Sequence, residues 1–166
     1  IAVTNGIMQR EARELNECFF TFMEQGIPFV GVKVAQTLDG KIADHRGASR
    51  WITSPKARAY GHLLRSLYDA VLVGASTVRR DDPLLTVRAV KGKNPIRIVL
   101  DGRLSVPANA RMLRNSQAQS IVITSSAALR RNRAKAMQLE KRGIGVFGIE
   151  GRGYLRSGDI LRVIAD

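Results

Sequence analysis

Cysteine is nearly absent. Cys18 stands alone in 166 residues, which excludes an internal disulfide framework and any Cys-rich zinc site. Histidine is scarce as well: His45 and His62 are the only two, they lack metal-ligand spacing with Cys18, and no metal site is expected. Aromatic residues make up 5% of the chain, too few for the stacking platforms on which single-stranded nucleic acids are held. No apolar run approaches the roughly 18 residues of a membrane span, and no signal-peptide pattern is present, so a cytoplasmic domain without membrane contact is expected. Three fingerprints are also missing: G-x-G-x-x-G after the first strand, G-x-x-x-x-G-K-[ST], and the G-x-S-x-G nucleophile elbow. An enzyme built from this sequence would take its reactivity from an organic cofactor.

What is present is an ordinary globular composition with a strong basic bias. Hydrophobic residues make up 45% and charged residues 25%, while 27 Lys and Arg face 14 Asp and Glu for a net charge of +13. Residues 89–138 hold ten basic residues (Lys91, Lys93, Arg97, Arg103, Arg111, Arg114, Arg130, Arg131, Arg133 and Lys135) and one acid, Asp101. Such a block suits nucleic acid or phosphorylated small molecules, but most of it is expected to be solvated surface.

The hydrophobic pattern alternates between helical and extended segments. Residues 5–25 carry apolar positions three or four apart and end at Gly26 and Pro28. Residues 29–35 alternate strictly, with Val30, Val32 and Val34 on one face of an expected strand. Lys33 shares the other face with Gly31 and Ala35, which leaves room for a ligand or marks an exposed edge. Ser54-Pro55 predicts a capped helix to about Tyr68, with Ala57, Leu64 and Leu67 inward. Residues 70–74, 96–100, 119–124 and 145–149 read as further strands, the first of them buried. A short extended piece ends at Arg88, a basic helix covers 126–142, and a last helix begins near Ser157 or Asp159. The fold class is therefore a layered α/β sheet with mostly parallel strands.

Ligands of open α/β sheets sit beyond the carboxyl ends of the strands. Three such ends here are small and polar: Ala35-Gln36-Thr37, Gly74-Ala75-Ser76-Thr77 and Asp101-Gly102. Together they suggest a nucleotide site. The glycines of Gly148-Ile-Glu-Gly-Arg-Gly153 have the wrong spacing for one and read as a surface loop.

An ordered series of motifs carries more information than any of these alone. It runs Lys33-x-Ala35-x-Thr37-Leu-Asp-Gly-Lys41, Ser49-Arg-Trp-Ile-Thr-Ser-Pro55, Leu64-Arg65 and Asp69-Ala-Val-Leu-Val-Gly-Ala-Ser-Thr77. Asp81-Asp-Pro83, Leu85-Thr-Val-Arg88 and Pro95-Ile-Arg-Ile-Val-Leu-Asp101 follow. The series resembles the reductase domain of the bifunctional riboflavin-biosynthesis deaminase/reductase, closely over residues 14–102. The resemblance implies a dihydrofolate-reductase-like fold and the NADPH-dependent reduction of 5-amino-6-(5-phosphoribosylamino)uracil to its ribitylamino product. It implies substrate contacts at Ser49, Arg65, Leu85 and Arg88, and cofactor contacts at Ala35, Trp51, Thr77, Asp81 and Gly102. Lys33 would bond sugar hydroxyls or assist proton transfer. By residue type alone, Trp51 suits a core anchor equally well, and Asp81-Asp82-Pro83 suits a turn.

Two departures from the family pattern bear on domain organisation. The family's deaminase domain, with its zinc signature, is missing, so residues 1–25 are expected to be its tail and connector and 26–166 the N-terminal part of the reductase domain. Ile149-Glu150-Gly151 mimics a later Val-Glu-Gly-Gly motif, but Leu155 to Asp166 look like the helix that precedes it in the family. The expectation is a truncated sheet lacking its C-terminal strands, with little turnover by itself. A longer protein would join a deaminase domain to this one and form a homo-oligomer. Two alternatives remain open at this point: a basic domain associated with nucleic acid, and a non-catalytic homologue of the reductase.

Overall fold

The computed structural model describes residues 2–49, 51–150 and 155–165. The chain divides into two compact units, Ile1–Val32 with Arg156–Asp166, and Lys33–Leu155. The first unit holds α1 (Gln9–Leu15), α2 (Glu17–Gln25) and α8 (Ser157–Ala165). The second holds α3 (Pro55–Leu67), β1 (Ala70–Gly74), α4 (Ala75–Asp81), β2 (Ile96–Leu100) and α5 (Arg111–Arg114). It continues through β3 (Ser120–Ser125), α6 (Ser126–Arg131), α7 (Arg133–Glu140) and β4 (Gly145–Ile149). Among the described residues, no helix is long and apolar enough to cross a membrane.

The four strands form one parallel sheet in the order β1-β2-β3-β4, as the alternating pattern predicts. Val99 and Val122 pair directly in the middle of the sheet and are almost fully buried. The core gathers on them with Val78 of α4, Met112 of α5 and Leu139 of α7. The β1 strand lies at the edge, and its Leu72 is exposed, contrary to the expectation of a buried strand. A continuous apolar run does not separate edge from centre, because that depends on how many neighbours a strand has.

Two expected helices are each broken in two by an asparagine, through the same geometry. The Asn16 side chain donates to the Ala12 carbonyl at 2.9 Å, as does Asn132 to the Ala128 carbonyl at 2.9 Å. In both cases the backbone N–H of the asparagine reaches that same carbonyl, and the residue leaves helical geometry to close the preceding turn. Helix α2 then ends at Gly26, as expected, and its φ of 64° is the left-handed conformation of a glycine cap.

The expected strand over 29–35 has no ladder. Val30, Val32 and Val34 are exposed, and β1, the edge of the sheet, pairs with β2 alone among the described residues. Alternation specifies which side chains share a face, but a strand also needs a partner for its backbone groups. Among the described residues, the piece ending at Arg88 likewise pairs with no strand. It contains instead a left-handed residue, Leu85, with φ of 55°. Conversely, residues 75–81 form α4, which the sequence reading left without a helix, and Gly74 stands at its N-cap.

Helix α3 begins as predicted: Pro55 is in its first turn, and the Ser54 hydroxyl oxygen accepts from the Ala57 N–H at 3.2 Å. Its inward face differs from the expectation, since Ala57 and Leu67 are exposed. The spacing of Arg58, His62 and Arg65 by four and three places those three polar residues on one face instead.

Candidate functional site

A cleft of about 440 Å³ opens within the second unit. It gathers Lys33, Ala35, Ser49, Trp51, Arg65, Asp81, Leu85 and Arg88 from segments spread over more than fifty residues of chain. Thr77, within α4, and Gly102, beyond the end of β2, lie outside its lining. The cleft is also lined by Arg58 and Arg111, so that five cationic side chains face two carboxylates, Asp81 and Asp82. Its volume suits a small-molecule ligand, and its charge suits an anionic one.

The wall formed by α3 and residues 84–88 carries the densest polar geometry. Thr86 is almost fully buried, and its carbonyl accepts from Arg65 Nη1 at 3.0 Å. Its hydroxyl oxygen accepts from Arg88 Nη1 at 3.1 Å. One threonine therefore anchors both guanidinium groups. Among the described residues neither arginine lies within ion-pair distance of a carboxylate, and the buried Nε of Arg65 has no protein partner. Burial, and then the neighbouring Arg88, lower the affinity of Arg65 for its proton. Two adjacent cations without counter-charge, one with a free buried donor, make a fork for phosphate or carboxylate.

Leu85, read as a substrate contact, is buried in the core cluster and lines the cleft. Its left-handed backbone costs a non-glycine residue roughly 1–2 kcal/mol, so packing holds a strained residue at the cleft wall.

The opposite features are flat and open. Trp51 is 71% exposed, which rules out the core-anchor reading. The Arg58 guanidinium lies 4.2 Å from its ring centroid and donates from Nη1 to the Thr53 carbonyl at 2.6 Å, so one aromatic face is already stacked. Asp82 accepts the backbone N–H of Arg111 at 2.8 Å through Oδ1, tying the end of α4 to the start of α5.

Most of the basic block is solvated surface, as expected, with two exceptions: Arg97 is 1% exposed and donates to backbone carbonyls, and Lys135 Nζ donates to the Leu104 carbonyl at 2.8 Å. Another expectation needs correction. Asp101, at a strand end read as a ligand site, is 2% exposed. It accepts the Val106 N–H at 2.6 Å and the Ser105 hydroxyl at 3.0 Å. Its carboxylate is thus engaged by its own loop. The expected glycine loop reaches Gly151–Gly153, which lie outside the described residues, as does Gly151 of the Val-Glu-Gly-Gly mimic. Sequence reading missed Arg58, His62, Thr86 and Arg111. The helical spacing of Arg58, His62 and Arg65 is the one signal that would have found two of them.

A model of the RibD C-terminal domain matches residues 28–161. The chain belongs to this family. The riboflavin biosynthesis protein RibD of Aquifex aeolicus is 47% identical over 152 residues, covering 91% of this chain and 41% of that protein. Its counterpart in Bacillus amyloliquefaciens is 36% identical over 167 residues, covering 100% of this chain and 44% of the relative. The Thermotoga maritima diaminohydroxyphosphoribosylaminopyrimidine deaminase/5-amino-6-(5-phosphoribosylamino)uracil reductase superposes with a TM-score of 0.68 at 40% identity. That match covers 88% of this chain and 45% of the other. The riboflavin biosynthesis reductase Rib7 of Saccharomyces cerevisiae shares the fold at a TM-score of 0.63 and 18% identity, over 93% of this chain and 66% of Rib7. The chain therefore has the dihydrofolate-reductase-like α/β fold, and it spans less than half the length of the RibD relatives it matches.

Proposed function

We propose that the chain is the core of a reductase domain that reduces 5-amino-6-(5-phosphoribosylamino)uracil with NADPH in riboflavin biosynthesis. The observation that carries this reading is the pair Arg65 and Arg88, anchored on Thr86 and unpaired by carboxylates, at the wall of a cationic cleft. A ribose 5-phosphate group is the ligand such a fork suits. Ser49 and Leu85 complete the substrate wall, and Lys33 supplies an ammonium for the sugar hydroxyls or a proton for the opening ribose.

The residues present fit a pyridine dinucleotide. Trp51 keeps an exposed aromatic surface, Asp81 offers acceptors, and Ala35 is small enough for close approach. Thr77 and Gly102, outside the cleft, would hold the remainder of so long a molecule. When bound, the dinucleotide supplies the hydride; the side chains of this chain bind, orient and exclude water, so proximity is the main catalytic device. Residues 1–25 serve as the connector to a deaminase domain in a longer protein, and 26–166 as part of the reductase.

Isothermal titration with ribose 5-phosphate and, separately, with NADPH tests this reading. Arg65→Ala should weaken ribose 5-phosphate by about tenfold or more while NADPH stays within about threefold, since a charge-assisted pair is lost on one ligand only. Equal losses for both ligands, or none for either, overturn it.

A further inference from the structure

We propose that His62 is the positioning residue of the anion fork. Its Nδ1 is a common acceptor for Arg65 Nη1 at 3.2 Å and for the backbone N–H of Arg88 at 3.2 Å. This inference rests on the reading of Arg65 and Arg88 as a phosphate fork.

The assignment of the ring follows from its partners. A guanidinium N–H and a peptide N–H can only donate, so Nδ1 must carry a lone pair and the ring proton must sit on Nε2. One neutral imidazole atom thereby joins helix α3 to the segment 84–88. Thr86 makes a second tie between the same segments, through its carbonyl to Arg65. The two ties differ in what they hold: Thr86 accepts from Nη1 of each guanidinium, and His62 accepts from the backbone on which Arg88 is mounted as well as from Arg65 Nη1. Without His62, both guanidiniums keep their bonds to Thr86, but the N–H of Arg88 loses its acceptor and the backbone that carries Arg88 is less firmly held. A lysine or arginine at position 62 would add charge yet supply no acceptor. The role therefore calls for a short side chain with an unprotonated acceptor on its inner edge.

The test uses the whole 166-residue chain and two readouts. Nitrogen-15 spectra of the imidazoles, with the two histidines told apart by His45→Gln, should show the proton of His62 on Nε2. A proton on Nδ1 overturns the proposal whatever the ligand does. Isothermal titration with ribose 5-phosphate then compares wild type, His62→Ala and His62→Asn, whose amide oxygen stands where Nδ1 stood. His62→Ala should weaken ribose 5-phosphate by about fivefold to tenfold, the effect of losing hydrogen bonds to a charged group, and leave NADPH within about twofold. His62→Asn should restore the affinity to within about twofold. If His62→Ala binds as wild type, or if Asn fails to rescue while its melting temperature is unchanged, His62 does not position the fork. If wild type binds ribose 5-phosphate no better than ribose, the phosphate reading itself fails, and His62 loses this role with it.

Discussion

The guanidinium of Arg97 donates to the Asn115 carbonyl at 2.7 Å from a site 1% exposed to solvent. It also donates to the carbonyl of Ala118 and, at 3.4 Å, to that of Leu84, next to the strained Leu85 of the cleft wall. No carboxylate pairs with it among the described residues. Burial lowers its affinity for the proton, and the carbonyl dipoles supply the compensation that an ion pair would otherwise give. Planar donors pointing several ways are required, which lysine lacks. Both Arg97→Ala and Arg97→Lys are therefore expected to lower stability by about 3 kcal/mol or more, through orphaned carbonyls and an unfilled site. Urea unfolding measures this; a loss under about 1 kcal/mol for the lysine variant would show that the fork geometry is immaterial.

At Leu85 the usual order of two substitutions should reverse. Replacing a buried leucine by alanine costs about 2–5 kcal/mol, and glycine ordinarily costs a further 0.5–1 kcal/mol or so for backbone entropy. Here φ is 55°, so alanine keeps the left-handed strain of roughly 1–2 kcal/mol that glycine removes. Leu85→Gly should thus be no less stable than Leu85→Ala in thermal or urea melts. A glycine variant weaker by a further kilocalorie would mean that the Leu85 backbone carries no strain.

These two residues also show where reading the sequence succeeds and where it stops. Strand β2 was legible because four of its five residues are Ile, Val or Leu, but nothing local distinguishes Arg97 from a surface arginine. Its burial depends on carbonyls from residues 84 and 115–119, brought together only by the fold. Likewise, the motif order grouped Arg65, Leu85 and Arg88, which line one cleft, yet the left-handed backbone at Leu85 has no local signature. Strand 29–35 erred in the opposite direction, since its alternation was real and its partner was not. Ser54-Pro55 was readable in full because a helix cap is a contact between residues three apart.

Asp101 separates a structural carboxylate from a ligand-binding one. It holds the turn at 104–106 through the Val106 N–H and the Ser105 hydroxyl, and that hydroxyl oxygen also accepts from Arg79 Nη1 at 2.7 Å. Asp101→Ala should lower stability by about 2–3 kcal/mol, because a buried N–H and a hydroxyl lose a charged acceptor. NADPH affinity in the folded variant should stay within about threefold of wild type, by isothermal titration well below its melting temperature. Loss of NADPH binding without loss of stability would return Asp101 to the ligand site.

The exposed face of Trp51 gives a discriminating pair of variants. Arg58 stacks on one face of the ring and is tethered to the Thr53 carbonyl, so the ring is held in place without being buried. Trp51→Ala should change stability by less than about 1 kcal/mol, as for other exposed positions, yet weaken NADPH by about tenfold if the free face holds it. Arg58→Ala should give a smaller loss of NADPH affinity, by freeing the ring to move. Isothermal titration compares the three proteins, and intrinsic fluorescence follows wild type and Arg58→Ala directly, since Trp51 is the only tryptophan. A wild-type emission spectrum unaltered by saturating NADPH would remove Trp51 from the cofactor site.

His62 predicts how stability depends on pH. Burial lowers its pKa below the ordinary 6.5, and the cations Arg65 and Arg88 lower it further, against a smaller opposing pull from the Thr86 backbone. The folded chain thus resists a proton that the unfolded chain accepts. Between the folded value and 6.5 the unfolded state binds more protons, so stability falls as the pH drops through this window and levels off below the folded value. The urea midpoint of wild type should fall on going from about pH 7 to about pH 5, within the range where histidine titrates. His62→Asn keeps the acceptor and removes the titration, so its midpoint should fall less over the same interval. Parallel pH profiles for the two proteins would show that the His62 imidazole takes up its proton as readily folded as unfolded.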